Sequence, residues 1–156
     1  MNLCELYVIE GEAENKEEAI KLTSEVLSAN GAVKEGFWES CVEREKNYPT
    51  GLTEYCPVAI PHTTKDFVNK DAICVLKLKN PVKFASMEDW EKEIDIKTVF
   101  NLAFLDDAEH LVLITKIIRG LKKPEFIESL TNLPVDELKK YLNHRFTEVI
   151  IYSFWS

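Results

Sequence analysis

The amino-acid sequence predicts an α/β protein, one domain in which a central mixed β-sheet is sandwiched by helices on both faces. Three observations predict it. Stretches of helical and strand periodicity interleave along the chain, the strongest strand candidates are apolar on both faces for much of their length, and Gly and Pro stand as isolated punctuation between them. A chain of 156 residues, 46% hydrophobic and 29% charged, can bury one substantial core and is short for two. The expected organisation is a single domain over 1–156, with 148–156 an apolar C-terminal tail.

Leu3 to Ile9 is a mixed apolar run and reads as a first strand, ended by Glu10-Gly11. Ala19, Leu22, Val26 and Ala29 then recur at three and four residues, the signature of one helix side. Asn15 is placed to cap that helix, with Glu18 three residues on, and Gly31 stands just past its end. Phe37 with Cys41, and Trp38 with Val42, repeat at four and predict a second helix from about Lys34 to about Lys46, closed before Pro49. After a Pro49-Thr50-Gly51-Leu52 loop, Val58-Ala59-Ile60 is a short strand closed by Pro61 and ending at His62. Ala72 to Leu78 reads as an inner strand closed by Pro81.

From Ile94 to Leu105, strict alternation gives a strand that becomes fully apolar toward its end. Asp106 or Asp107 can cap the next helix, whose inward face is predicted as Ala108, Leu111, Ile114, Thr115, Ile118 and Leu121. Two short helices follow, each with a proline in its first turn: Pro124 through Leu130 and Pro134 through Leu142. The acidic run Glu88 to Glu93 reads as a solvated loop or short helix.

The formal charge of −8, from 19 basic and 27 acidic residues, argues against a broad surface for nucleic acid or anionic lipid and favours a protein partner or small polar substrate. The first residues show no basic region followed by an apolar run, so no secretory signal is expected. No apolar run approaches the roughly 20 residues that cross a bilayer, so direct membrane insertion is not expected either. Cys4, Cys41, Cys56 and Cys74 are scattered without a C-x-x-C pair and read as reduced, mostly buried thiols of a cytoplasmic protein. Nucleotide-binding, serine-hydrolase and zincin signatures are missing.

Three histidines occur, and two stand where a functional imidazole belongs. His62 follows a strand end, where α/β proteins project side chains into a ligand crevice. His110 falls at about the third position of an Asp107-capped helix, beside unpaired N–H groups and the positive end of a helix dipole, a setting that disfavours imidazolium and welcomes an anion. His144 lies in a polar stretch and reads as a surface residue. Arg44, seven residues after Phe37, lies close to the apolar stripe of its helix, which a snorkelling arginine would also explain.

A phosphoryl-accepting histidine needs a neutral ring, a free nitrogen lone pair, and a hydrogen bond from the other nitrogen to fix the tautomer. Donors or positive charge must surround the transferred oxygens, and Arg44, His110 and the Thr50-Gly51 loop are candidates. Spacing alone leaves other readings open. One is a loop or core histidine; another is a metal site of His62 and His110 with Asp66, Asp106 or Asp107, serving a hydrolase.

The segments Arg44-Glu45-Lys46-Asn47-Tyr48-Pro49-Thr50-Gly51-Leu52, Val58-Ala59-Ile60-Pro61-His62-Thr63, Pro81-Val82-Lys83-Phe84 and Asp95-Ile96-Lys97-Thr98-Val99-Phe100, with His110-Leu111 opening a helix, resemble the fructose/mannitol-type enzyme IIA family of bacterial sugar phosphotransferase systems. The galactitol-type branch is the nearest in appearance. The likeness runs from about Leu3 to Thr147 with all segments in order. It implies a mannitol-type IIA fold and a phosphotransferase whose I-P-H histidine, here His62, takes a phosphoryl group from the phosphocarrier protein HPr. The group then passes to a cysteine or histidine of a cognate IIB component, for uptake of a sugar or a polyol such as galactitol. It further implies Arg44 and His110 as flanking residues and no bound metal, nucleotide or other cofactor; Thr50, from the loop, is a lesser candidate donor beside them. A regulatory IIA-like protein, signalling through the same histidine to a bound regulator, is the alternative. Two features depart from the family: Ala85 stands where members often carry glycine, and the tail Val149 to Trp155 extends beyond the match. So apolar a tail is expected to dock on its own sheet or to support self-association.

Overall fold

A computed structural model describes residues 4–52 and 56–155, with the backbone alone from 147 onward. Strand β1 (Glu5–Gly11) leads through helix α1 (Lys16–Ala29) and helix α2 (Phe37–Asn47) to two short strands, β2 (Gly51–Leu52) and β3 (Val58–Ala59). The long strands β4 (Ala72–Ala85) and β5 (Glu93–Ala103) follow, and helices α3 (Asp107–Gly120), α4 (Pro124–Asn132) and α5 (Val135–Trp155) complete the chain.

The strands form one sheet in the order β1-β4-β5-β3-β2. It is mixed: β1 runs parallel to β4 and β3 parallel to β5, while β4 with β5 and β2 with β3 are antiparallel. One core lies under α1 and α2, where Ile20, Leu27, Phe37 and Cys41 pack on Cys74, Leu76, Phe84 and Val99. The other lies under α3, α4 and α5, where Ile117, Phe126, Leu138 and Leu142 pack on Ile73, Val75, Phe100 and Leu102. Both sheet faces are thus covered, as the two-sided apolarity of the central strands requires. Each such side chain removed from water contributes about 1.5–3 kcal/mol before conformational entropy is set against it.

Local signals place several boundaries. Asn15 caps α1, its side chain accepting from Glu18 N at 2.9 Å. The second helix begins at Phe37 rather than Lys34, because Gly36 at its start adopts a φ of 93°, a left-handed conformation open to glycine. Pro81, expected to close its strand, lies within β4 where the pairing shifts register between Lys77 and Val82, and a residue without an N–H fits such an interruption. Gly51 and Leu52, expected as loop, pair with β3. A Cβ on Gly51 would meet the Ala85 carbonyl oxygen at 2.5 Å, so only glycine permits that approach.

Two helix faces match their predicted positions only in part. In α1 the buried side is Ala19, Ile20, Thr23, Ser24 and Leu27, with the expected Leu22 and Val26 half-buried against the same core, and Ala29 is exposed. The cause lies in β5: buried Asn101 donates to Thr23 Oγ1 at 2.9 Å, drawing the hydroxyl side of α1 inward. In α3 Leu113, Ile117 and Gly120 are buried, together with the expected Leu121 at its end and with the expected Ile114 packed against the core, whereas Ala108 is exposed and Leu111 is 64% exposed. The last helix does not stop near Leu142 but continues to Trp155. The side chains of the tail 148–156, expected to dock or self-associate, lie outside the described residues.

Candidate functional site

Strand parity sets the position of His62. The parallel pairing of β3 with β5 continues past Ala59, with Leu102 N donating to Pro61 O at 3.1 Å and His62 bridging Leu102. His62 therefore shares a face with Val58 and Ile60, toward α3, while Thr63 falls on the opposite face. There the Thr63 and Ser40 hydroxyls hydrogen-bond, tying the segment to α2.

The His62 ring is half-buried, and its Nδ1 lies 2.8 Å from the Ile60 carbonyl oxygen. A carbonyl oxygen only accepts, so Nδ1 carries the proton and the neutral ring leaves its Nε2 lone pair free. Burial pushes the His62 pKa down to about 4; the Ile60 carbonyl opposes this, and positive charge on His110 and Arg44 adds to it. The ring is neutral at physiological pH.

His110 reaches the same place from the end of β5. Asp106 caps α3, its Oδ1 accepting from Ala108 N at 2.8 Å and Glu109 N at 3.0 Å. His110 is thus the fourth helical residue rather than the third, and its own N–H donates to Asp106 O. The Asp106 carboxylate occupies two of the amides that sequence reasoning offered to an anion, so His110 acts through its ring. That ring stands edge-on to His62, with centroids 4.6 Å apart at 77°, and stacks on Phe104 at 5.7 Å and 15°. Burial lowers its pKa, the Arg44 charge lowers it further, and Asp107 opposes both. Its Nε2 is buried and has no hydrogen-bond partner among the described residues.

Arg44 comes from the last turn of α2, where a positive charge also suits the helix dipole. The guanidinium carbon lies 5.2 Å from the ring centre of Tyr48, and Nε is buried without a hydrogen-bond partner among the described residues. Its charge acts on both histidines. The three residues singled out in sequence, from α2, the β3 extension and α3, therefore lie in one neighbourhood.

Thr50 has a different place from the expected one. Its backbone N donates to Glu45 Oε2 at 2.7 Å and its hydroxyl to Glu45 Oε1 at 2.8 Å, while that hydroxyl accepts from Ile60 N at 3.0 Å. With its one hydroxyl proton engaged by Glu45, Thr50 is no free donor to an anion, and it braces the strand that carries His62. Glu45 itself, 2% exposed, was not singled out in sequence. The signal was available: Phe37, Cys41 and Glu45 recur at four along the buried stripe of α2, one residue from the position that drew notice to Arg44.

Among the described residues, no group of three or more His, Cys, Asp or Glu side chains is arranged to hold a metal ion, and Asp106, a carboxylate of the metal reading, caps α3 instead. No helix among them is long and apolar enough to cross a membrane.

The sequence pattern of the family described as "Phosphoenolpyruvate-dependent sugar phosphotransferase system, EIIA 2" matches residues 3–144. The chain is 28% identical over 128 residues to the galactitol-specific EIIA component of Escherichia coli strain K12, covering 81% of this chain and 82% of that one. It is 35% identical over 133 residues to the mannitol-specific EIICBA component of Pasteurella multocida, covering 83% of this chain and 20% of that longer protein. Among solved structures, the complex of enzyme IIAMTL and phosphorylated enzyme IIBMTL from Escherichia coli matches with a TM-score of 0.71 at 28% identity, over 92% of this chain and 97% of that one. The nitrogen regulatory protein IIA-Ntr of Neisseria meningitidis shares the fold, with a TM-score of 0.67 at 19% identity over 91% of this chain and 92% of that one.

Proposed function

Because the chain belongs to the EIIA 2 family of the phosphoenolpyruvate-dependent sugar phosphotransferase system, as a galactitol/mannitol-type EIIA component, we propose that it carries the phosphoryl group on Nε2 of His62. The observation that supports this most is the 2.8 Å contact from His62 Nδ1 to the Ile60 carbonyl, which leaves a neutral ring with its lone pair on Nε2. The donor is HPr and the acceptor a cognate IIB component, both met in the cytoplasm.

In the first step the Nε2 lone pair attacks phosphorus, the P–N bond to the HPr histidine breaks, and its electron pair returns to that imidazole. Nδ1 of His62 keeps its proton throughout, and its bond to Ile60 O offsets the positive character the ring acquires. In the second step a nucleophile of IIB attacks phosphorus in line, and the electron pair of the P–Nε2 bond returns to His62. Arg44 supplies fixed charge against the phosphoryl oxygens and His110 an edge-on donor, in a site built before the group arrives. The burial that lowers the proton affinity of His62 also makes its ring a good leaving group.

Incubation with phosphoenolpyruvate, enzyme I and HPr, followed by intact-mass measurement, tests this. Wild type is expected to gain one acid-labile phosphoryl group and His62→Gln none. Phosphate on the variant, or none on wild type, overturns the proposal.

A further inference from the structure

The buried Glu45 carboxylate has no part in the transfer steps above, and burying a charge is costly unless it is well bonded. Burial raises the pKa of Glu45, while its hydrogen bonds from the Thr50 backbone and side chain oppose that rise. An apolar or amide side chain at that point of α2 would be cheaper to bury, so what the carboxylate holds in place is informative.

The bonds it makes run in series to the reactive ring. Both Glu45 oxygens accept from Thr50, at 2.7 and 2.8 Å. A hydroxyl has one proton, so that commitment turns a Thr50 lone pair toward Ile60 N, 3.0 Å away. In the antiparallel register of β2 and β3, Gly51 faces Ala59 and Leu52 faces Val58, so Thr50 is the residue opposite Ile60. A side-chain oxygen thus holds the Ile60 N–H where the short ladder runs out. The other polar group of the same residue, the Ile60 carbonyl, receives the His62 Nδ1 proton at 2.8 Å. Glu45 orients Thr50, Thr50 holds Ile60, and Ile60 selects the His62 tautomer.

We propose that Glu45 is a positioning residue for phosphoryl transfer, fixing through Thr50 the Ile60 carbonyl that keeps the proton on Nδ1 and the lone pair on Nε2 of His62. This rests on the reading of His62 as the phosphoryl acceptor. A carboxylate does what an amide cannot, because both of its oxygens accept and neither competes as a donor.

The test is nitrogen NMR of the His62 ring in wild type, Glu45→Gln, Thr50→Val and Thr50→Ser, with the HPr-dependent phosphorylation rate measured alongside. Glu45→Gln and Thr50→Val are expected to move the His62 ring resonances toward mixed tautomers and to slow phosphorylation by roughly tenfold to a hundredfold, the effect of misplacing a reacting group. Thr50→Ser keeps the hydroxyl and should restore both readouts. The double variant Glu45→Gln/Thr50→Val should be little worse than either single one, since the bonds act in series. Should Glu45→Gln fail to fold, Thr50→Val and Thr50→Ser still carry the test. His62 resonances and rates unchanged in the folded variants overturn the proposal. Shifted resonances in a protein whose wild type takes no phosphate would leave the positioning intact and sink the functional reading instead.

Discussion

The His110 ring stands edge-on to His62 at a centroid distance of 4.6 Å and stacks on Phe104 at 5.7 Å. One imidazole thus contacts both a phenyl ring and the reactive imidazole, and the two contacts together set its tilt.

His110→Ala removes that donor and the wall together. Phosphorylation of His62 is expected to persist but to slow by roughly a hundredfold, the scale of losing one preorganised donor to a transferring group. Rapid-quench transfer of labelled phosphate from HPr measures this, and an unchanged rate would remove His110 from the mechanism.

Arg44→Ala should fold normally and accept phosphate poorly, because its guanidinium bears on both histidines and its Nε has no hydrogen-bond partner among the described residues. Arg44→Lys keeps the charge without the planar fork and should recover part of the rate. Equal rates in all three proteins would contradict the assignment.

Acid should act on the half-buried His62 ring. Its folded pKa of about 4 lies below the ordinary value of 6.5, so between those values the unfolded chain binds a proton that the folded chain refuses. Its contribution to stability is therefore lost as pH falls from about 6.5 toward about 4. Glu45, whose pKa is raised, acts in the opposite sense, but it does so in wild type and His62→Gln alike. Urea midpoints across that range should fall more steeply for wild type than for His62→Gln, and parallel curves would refute a ring held neutral by its surroundings.

Gly51→Ala forces a Cβ against the Ala85 carbonyl oxygen at 2.5 Å. A loss of about 1–3 kcal/mol is expected for such overpacking, read from denaturant unfolding. A neutral substitution would show that β2 gives way easily.

Features decided within one turn of chain were legible in the sequence. Asn15 caps α1 because Glu18 N lies within reach of its side chain, and no distant residue is needed. Which side of a helix faces the sheet is decided far away. Leu111 is as apolar as Leu113, yet α3 buries Leu113 and turns His110 toward His62, a preference set by the partner surface. For Glu45 the spacing of Phe37, Cys41 and Glu45 marks an inward carboxylate, but what it holds is decided only once Thr50, five residues later, folds back onto it. The spacing of Thr50 suggests a donor to an anion, a role that its hydroxyl, engaged by Glu45 and Ile60, does not allow.

The regular strand leading to His62 is only two residues long, Val58 and Ala59, and a single bridge from His62 to Leu102 extends its pairing. A slide of one position along β5 would put Thr63, or Pro61, where the imidazole now lies, since neighbouring residues point to opposite faces. Against that slide stand the bond from Leu102 N to Pro61 O on one side and from Ile60 N to Thr50 Oγ1 on the other. These bonds index the strand like the teeth of a key: they decide which residue of Ile60-Pro61-His62-Thr63 is offered to a visiting protein, and so the chemical identity of the nucleophile itself.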